Sequence, residues 1–536
     1  MNLNSVRYKL TYIFIGSLTV TVLASLSFLF SGNSDEKFAL HGAPLDDVWI
    51  HHVYARSIAA GHPFEYNPGE LETGSTSPLW AFILAPLYWL GFPVIVSSKF
   101  LCIVFTALVA TIGYKLAFNL GENIVGYFFA LGFPLIPYYT FTAVSGTEVP
   151  LFIFLTFLTI VFTLSKKLIP AGLSAGFTIL ARPEGFILVC LLLLSVAISN
   201  YNNLPSNSQR ILKTVKSLAS VFISIVIVLT PWILFCMSVT GKPLPMTFYA
   251  KAHWFGLANL DQFSKISSLL LSQPFMGTDI EISAITALAF LASVIIYIYG
   301  LSRLRCHGLP TMIMIGFAGP VFLYAVSVII PLGNPIGADQ TNSVNNFYFA
   351  RYLLPGFAPI LFVWLIGMRA IFQQKSHRNI VIASLVIMLS IASTIHQHIQ
   401  LRGVYSWNCK NIEELQVRTA KWIAGNIPQG TTIAVSDAGA IRYFGNHRVI
   451  DLIGLNTHRL LSLTHAINDA TDRSEENQVH LNDFWKNEHP DYFAVINGWH
   501  EPLVSGYSFE KLCSFRIAHN TICGGDEILI LKPHFR

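Results

Sequence analysis

Two adjacent carboxylates, Asp46 and Asp47, follow Pro44 at the start of a segment whose pattern predicts a helix over 47–60. A carboxylate that takes a proton from a hydroxyl acts as a general base. Two side by side can also help to hold a hard cation, or do no more than cap the helix and answer its dipole. His51, His52 and His62 add imidazole nitrogen to the same stretch. A divalent cation is compatible with this set without being required by it, and packed or solvated histidines are the alternative. Further along, Glu148 stands beside Gly146 and Pro150 at the edge of an apolar run, either to orient a substrate or metal or simply to meet water. Arg182, Lys251 and Arg351 stand at similar edges, where a cation can hold a phosphate and stabilise a leaving anion, or merely reach toward the membrane interface. Arg182 or Glu184 at mid-bilayer would cost roughly 2.5–3.5 kcal/mol, so Pro183 and Gly185 predict a turn at the boundary instead. Asp437, Asp451 and Asn456 recur near glycines, as turn formers or as acceptor-binding groups.

The elements that must position these groups are membrane helices. The chain has 536 residues, 53% hydrophobic and 12% charged, against about a quarter charged in an ordinary soluble protein. Its mean hydropathy is +0.54. Twelve uncharged runs are long enough to be candidate spans. The run at 78–97 carries Pro78, Pro86, Gly91 and Pro93, which a regular spanning helix resists. Leaving it out gives about eleven spans. The N-terminus and the basic clusters Lys166 with Lys167, Arg210 to Lys216, Arg303 with Arg305, and Arg369 to Arg378 then all face the cytoplasm. The net charge of +5 is therefore a topology signal, and nucleic-acid binding is disfavoured.

The expected architecture is mainly α: a polytopic helix bundle over 1–396, with 31–97 a long external loop, and an external or periplasmic α/β domain over 397–536. An amphipathic helix at 411–426 and strands at Thr432 to Ser436, Arg448 to Leu452, Tyr492 to Ile496 and Ile528 to Leu531 build that domain. The run from Thr11 to Phe30 reads as a retained anchor in the cell (inner) membrane. Trp80, Tyr88, Trp89, Phe248, Tyr249 and Trp254 fit an interfacial belt better than a sugar platform. Cys513 and Cys523 are equally compatible with a disulfide and with two free thiols.

Residues 45–80, LDDVWIHHVYARSIAAGHPFEYNPGELETGSTSPLW, resemble the first external loop of GT-C superfamily glycosyltransferases, in particular the branch with the mycobacterial terminal arabinofuranosyltransferases. SGTEVPLF at 145–152, ARPEG at 181–185, LPMTFYAK at 244–251, RYLLP at 351–355 and DAGAIRYFGNHRVIDLIGL at 437–455 continue the likeness in order. Val53, the His51–His52 pair and Thr147 depart from that branch. The resemblance implies a GT-C bundle that transfers a sugar, with inversion, from a polyprenyl-phosphate donor to a glycan or lipid of the cell envelope. It implies Asp46 as base, Asp47 as helper or metal ligand and Glu148 as a second acid. Arg182, Lys251, Arg351 and His52 then become substrate-binding groups. A lipid transporter or flippase and a non-catalytic assembly protein are the rival classes. Mid-membrane charges and internal repeats would favour the transporter.

Overall fold

The computed structural model describes residues 3–31, 36–202, 207–252, 284–329, 347–468, 475–498, 503 and 507–534. Apolar runs become helices because a backbone without water must satisfy its own amides. Among the described residues six helices are long and apolar enough to cross a membrane, or eight if each of two bent pairs makes one crossing. The expected eleven included Val149–Leu164 and Leu168–Ala181, which are 16 and 14 residues long, short of the ~20 needed for a straight crossing.

The doubtful run at 78–97 breaks as its prolines and glycine demand. Ser77 accepts the amide of Trp80, Pro78 takes the first helical position, and the helix Pro78–Trp89 has only 12 residues. Gly91 adopts φ +67°, Pro93 follows, and Val94–Asn119 sets off as a separate helix of 26 residues. A second break, of 67°, separates Asn123–Leu135 from Pro137–Ala143. This short helix leads directly into the turn that carries Glu148.

The chain enters the C-terminal domain without a linker. One helix, His377–Ile412, runs through the expected boundary at 396/397 and continues through a wide turn at Glu413–Val417 into Arg418–Asn426. A two-stranded hairpin in the first loop, β1 (Glu65–Asn67) and β2 (Glu70–Leu71), precedes the main sheet in the chain. The main sheet contains β3 (Thr432–Val435), β4 (Arg448–Asp451), β5 (Tyr492–Ile496), β6 (Ser508–Arg516) and β7 (Glu527–His534), in the order β4-β3-β5-β7-β6. β3 runs parallel to β4 and β5; β7 is antiparallel to β5 and β6. Four of these strands match the sequence pattern. β6, an edge strand of mostly exposed polar residues, carries no such signal. Cys513 and Cys523 are both free thiols, Cys523 buried with its sulfur 3.5 Å from Gln416 Oε1.

The first loop and this domain are fastened by bonds that treat Asn67 as a strand residue: its side chain donates to Val449 O and accepts from Val449 N, each at 2.9 Å. Arg448 Nε donates to Glu70 Oε1 at 2.7 Å, Arg442 Nε to Tyr66 O at 2.7 Å, and the Tyr66 hydroxyl to Ala438 O at 2.6 Å. The NPGE turn of the first loop is thus a docking device.

Candidate active site

The helix Asp47–Ala59 presents Asp47 and His51, four residues apart, on one face. The Ser145–Glu148 turn supplies the opposing group. It is held from several sides: Trp80 Nε1 donates to Gly146 O at 3.1 Å, Cys102 Sγ donates to Thr147 O at 3.1 Å, and the Tyr405 hydroxyl lies 2.9 Å from Val144 O. Gly146 has φ +77° and faces Ser98 so closely that an added Cβ would sit 3.0 Å from its hydroxyl.

Five of the residues singled out in the sequence are drawn into two linked sets. Arg182 Nη1 donates to Glu148 Oε1 at 2.5 Å and Arg182 Nη2 to Glu184 Oε1 at 3.2 Å, all three being buried. Arg351 Nη2 donates to Asp47 Oδ2 at 2.5 Å. The ring of Tyr352 joins the two sets: the guanidinium carbons of Arg182 and Arg351 lie 4.7 and 5.1 Å from its centroid. His51 Nε2 completes the network, 3.1 Å from Glu148 Oε2. Burial alone would raise the Glu148 carboxyl, but Arg182, His51 and Arg351 outweigh it and hold the group well below the usual carboxylate range.

Asp46 faces elsewhere. Its Oδ2 accepts the amide of Gly439 at 2.7 Å and its Oδ1 that of Ala440 at 2.8 Å, so it closes the first loop onto the helix Ala440–Gly445. Burial and the neighbouring Asp437 push its carboxyl up, against the pull of the two amides. Burial likewise lifts Asp437 to about 6, opposed by Gln416 Nε2, which donates to its Oδ2 at 2.7 Å. A carboxylate with both oxygens taken by amides is a poor site for a hydroxyl.

His52 also leaves the set. It is buried with Trp49, Tyr88 and Tyr443, its Nδ1 3.1 Å from the Tyr88 hydroxyl. Lys251 belongs to the helix Met246–Ala252, whose first amide, on Met246, donates to Thr73 Oγ1 at 3.3 Å; its side chain lies outside the described residues. Among the described residues no group of three or more His, Cys, Asp and Glu side chains is disposed to hold a metal ion. Asp437, Asp451 and Asn456 act structurally, with Asp451 Oδ2 accepting both nitrogens of Asn456 at 2.9 Å.

One group escaped sequence reasoning: Tyr352 has no marker beyond its place in RYLLP. His51 was among the imidazoles singled out, and its helical spacing from Asp47 was the signal that separates it from His52.

A narrow apolar crevice lies one helical turn from Glu148 and Arg351. Phe152, one helical turn beyond Glu148, and Pro355, one turn beyond Arg351, line it together with Thr156, Leu191 and Phe322.

The domain of unknown function DUF8728 matches residues 410–526. No curated protein sequence matches the chain. Among solved structures, ArnT from Cupriavidus metallidurans bound to undecaprenyl phosphate is similar over 96% of this chain and 97% of its own, at 11% identity and a TM-score of 0.57. The archaeal oligosaccharyltransferase AglB from Archaeoglobus fulgidus, in complex with an inhibitory peptide and a dolichol-phosphate, is similar over 90% of this chain and 69% of its own, at 11% identity and a TM-score of 0.51. The fold is of the GT-C type. The expected helix bundle with a C-terminal α/β domain is therefore the one observed, and at such low identity the likeness is one of fold. The particular arabinofuranosyltransferase branch finds no counterpart among these neighbours.

Proposed function

We propose that the chain is a membrane glycosyltransferase that moves a sugar from a polyprenyl-phosphate donor to a hydroxyl of an envelope glycan or lipid. The observation that carries this reading is the pair of guanidinium groups set on one tyrosine ring beside an apolar crevice. A lipid-linked phosphate needs cationic donors for its oxygens and an apolar channel for its chain. The phosphate leaves as a stable anion and needs no strong acid. Asp47, about two-fifths of whose side chain is exposed, is the carboxylate that can receive the acceptor hydroxyl. Displacement from the opposite side inverts the anomeric carbon. The neighbours bound to undecaprenyl phosphate and to dolichol-phosphate support the lipid class of the donor.

The site faces outward in this reading. Lys166 and Lys167 follow the far end of the helix that Glu148 begins, and Arg369 stands at the far end of the helix that carries Arg351. Basic loops mark the cytoplasmic side, so the network and the C-terminal domain belong to the external one.

Purified chain in nanodiscs, assayed for undecaprenyl phosphate binding and for transfer from undecaprenyl-phosphate-linked pentoses and hexoses, tests the reading. Arg351→Met should weaken lipid binding at least about tenfold, since a charge-assisted bond is worth about 1.5–3 kcal/mol. Asp47→Asn should bind the lipid and lose transfer by about 100-fold. Wild-type transfer by both variants would sink the proposal.

A further inference from the structure

Of the two guanidinium groups on the Tyr352 ring, only that of Arg351 meets a carboxylate that has water to move into. Arg182 lies between Glu148 and Glu184, whose side chains are 2% and 7% exposed, and His51 grips Glu148 as well. Neither carboxylate can leave Arg182 without stranding a charge in a dry interior, which is far costlier than parting at the surface. Arg351 is equally buried, with 4% of its side chain exposed, but 39% of the Asp47 side chain that it meets is open. The Asp47 carboxylate therefore stands between this guanidinium and the water.

Local structure lets Asp47 turn. It is the first residue of the helix Asp47–Ala59, so no preceding helical turn crowds its side-chain rotamers. The backbone just before it is fixed, because the two Asp46 oxygens hold the amides of Gly439 and Ala440. Swung outward, the carboxylate stays beside the helix N-terminus, whose partial positive charge favours an anion. Arg351 keeps its place when the carboxylate leaves. Tyr352 holds it by the ring, 5.1 Å from the guanidinium carbon, and by a hydroxyl that accepts from Nη2 at 3.3 Å. Pro355, one turn further along the same helix, lines the apolar crevice, so a chain in the crevice can end in a phosphate at Arg351.

We propose that Asp47 is a displaceable plug over Arg351, and that a lipid phosphate binds by taking its place. No covalent bond changes in this step: one oxyanion replaces another on Nη2, and the released carboxylate turns toward the acceptor. The role rests on the lipid-phosphate reading and refines it by giving the two arginines different tasks. Arg182 supplies fixed charge, and Arg351 is the group that changes partner. Asp47 thereby becomes available to a hydroxyl only once a donor is in place. The wild-type affinity for the phosphate is lowered to the extent that Arg351 is covered.

Binding of undecaprenyl phosphate and of undecaprenol, which lacks the phosphate, is measured for the full chain in nanodiscs. The proteins compared are wild type, Asp47→Asn, Asp47→Ser, Arg351→Met and the double variant Asp47→Asn with Arg351→Met. Removing the plug should tighten undecaprenyl phosphate binding by about tenfold and leave undecaprenol binding unchanged. In the Arg351→Met background the same substitution should gain less than about twofold, since nothing is left to uncover. A full gain there would reveal plain relief of charge repulsion and overturn the plug, as would equal affinities of wild type and Asp47→Asn. Either result leaves the lipid-phosphate reading standing. Absence of undecaprenyl phosphate binding by the wild type would overturn that reading, and the plug with it. Should the variants fail to fold, carbodiimide labelling of the wild type, read by mass spectrometry, decides the matter. Asp47 should label several-fold faster once undecaprenyl phosphate is bound, and unchanged or slower labelling defeats the proposal.

Discussion

The Asp46 carboxylate accepts amides on both oxygens, while Asp47 next to it meets the guanidinium of Arg351. The sequence marks the pair as chemistry but cannot order it, because direction depends on a helix N-terminus almost 400 residues away. Asp46→Asn should therefore act on stability, lowering it by about 0.5–2 kcal/mol as the loss of a helix cap does. Thermal melting in detergent reads this, and lipid binding at temperatures below the transition should be retained. Asp437 gives a pH signature. Its carboxyl is raised by burial to about 6 when folded, against ~4 unfolded, so the folded state binds the proton more tightly. The contribution of this group to stability is then fully present below about pH 4 and is lost as pH rises through about 6. Asp437→Asn should flatten that part of the melting profile, and a wild-type slope in the variant would refute the assignment. Arg182, Glu148 and Arg351 were legible as charges at apolar edges. The exchange of His52 for His51 was legible in principle, since only the latter shares a helical face with Asp47.

At the scale of elements, what the sequence showed best was interruption. Prolines and Gly91 foretold that 78–97 would not be one helix, and the strands with apolar alternation appeared where expected. The run-through of His377–Ile412 was hidden, because a helix leaving the bilayer changes its side chains and keeps its hydrogen bonds. Close backbone approaches were hidden as well. At Gly439 an added Cβ would come within 2.3 Å of the Asp46 carbonyl oxygen, and at Gly74 within 2.5 Å of that of Leu455. Gly439→Ala and Gly74→Ala should each loosen the joint between the first loop and the C-terminal domain. Faster hydrogen exchange in residues 64–76 and 437–457 would register it, and unchanged exchange would argue against the joint. Trp80→Phe removes the bond to Gly146 O while keeping most of the ring volume, so transfer should fall more than stability.

On the scale of the whole molecule, the crevice is assembled from helices of both halves of the bundle, with Phe152 and Leu191 from one and Ala318, Phe322 and Pro355 from the other. Ala318→Trp should fill it and weaken undecaprenyl phosphate binding by about tenfold or more. Binding of geranyl phosphate, whose chain is short, should change little. Equal losses for both lipids would place the polyprenyl chain elsewhere.

The hydroxyl of Tyr405 stands 2.9 Å from the carbonyls of both Ala39 and Val144, tying the approach to Asp46 and the approach to Glu148 to the last long helix of the bundle. That tie sets an order in time. During synthesis the early helices enter the bilayer long before Arg351 and Tyr405 leave the ribosome, so a nascent or truncated chain has Asp47 without its guanidinium partner and the Glu148 turn without its brace. A chain arrested near residue 340 should insert into membranes and yet fail to retain undecaprenyl phosphate.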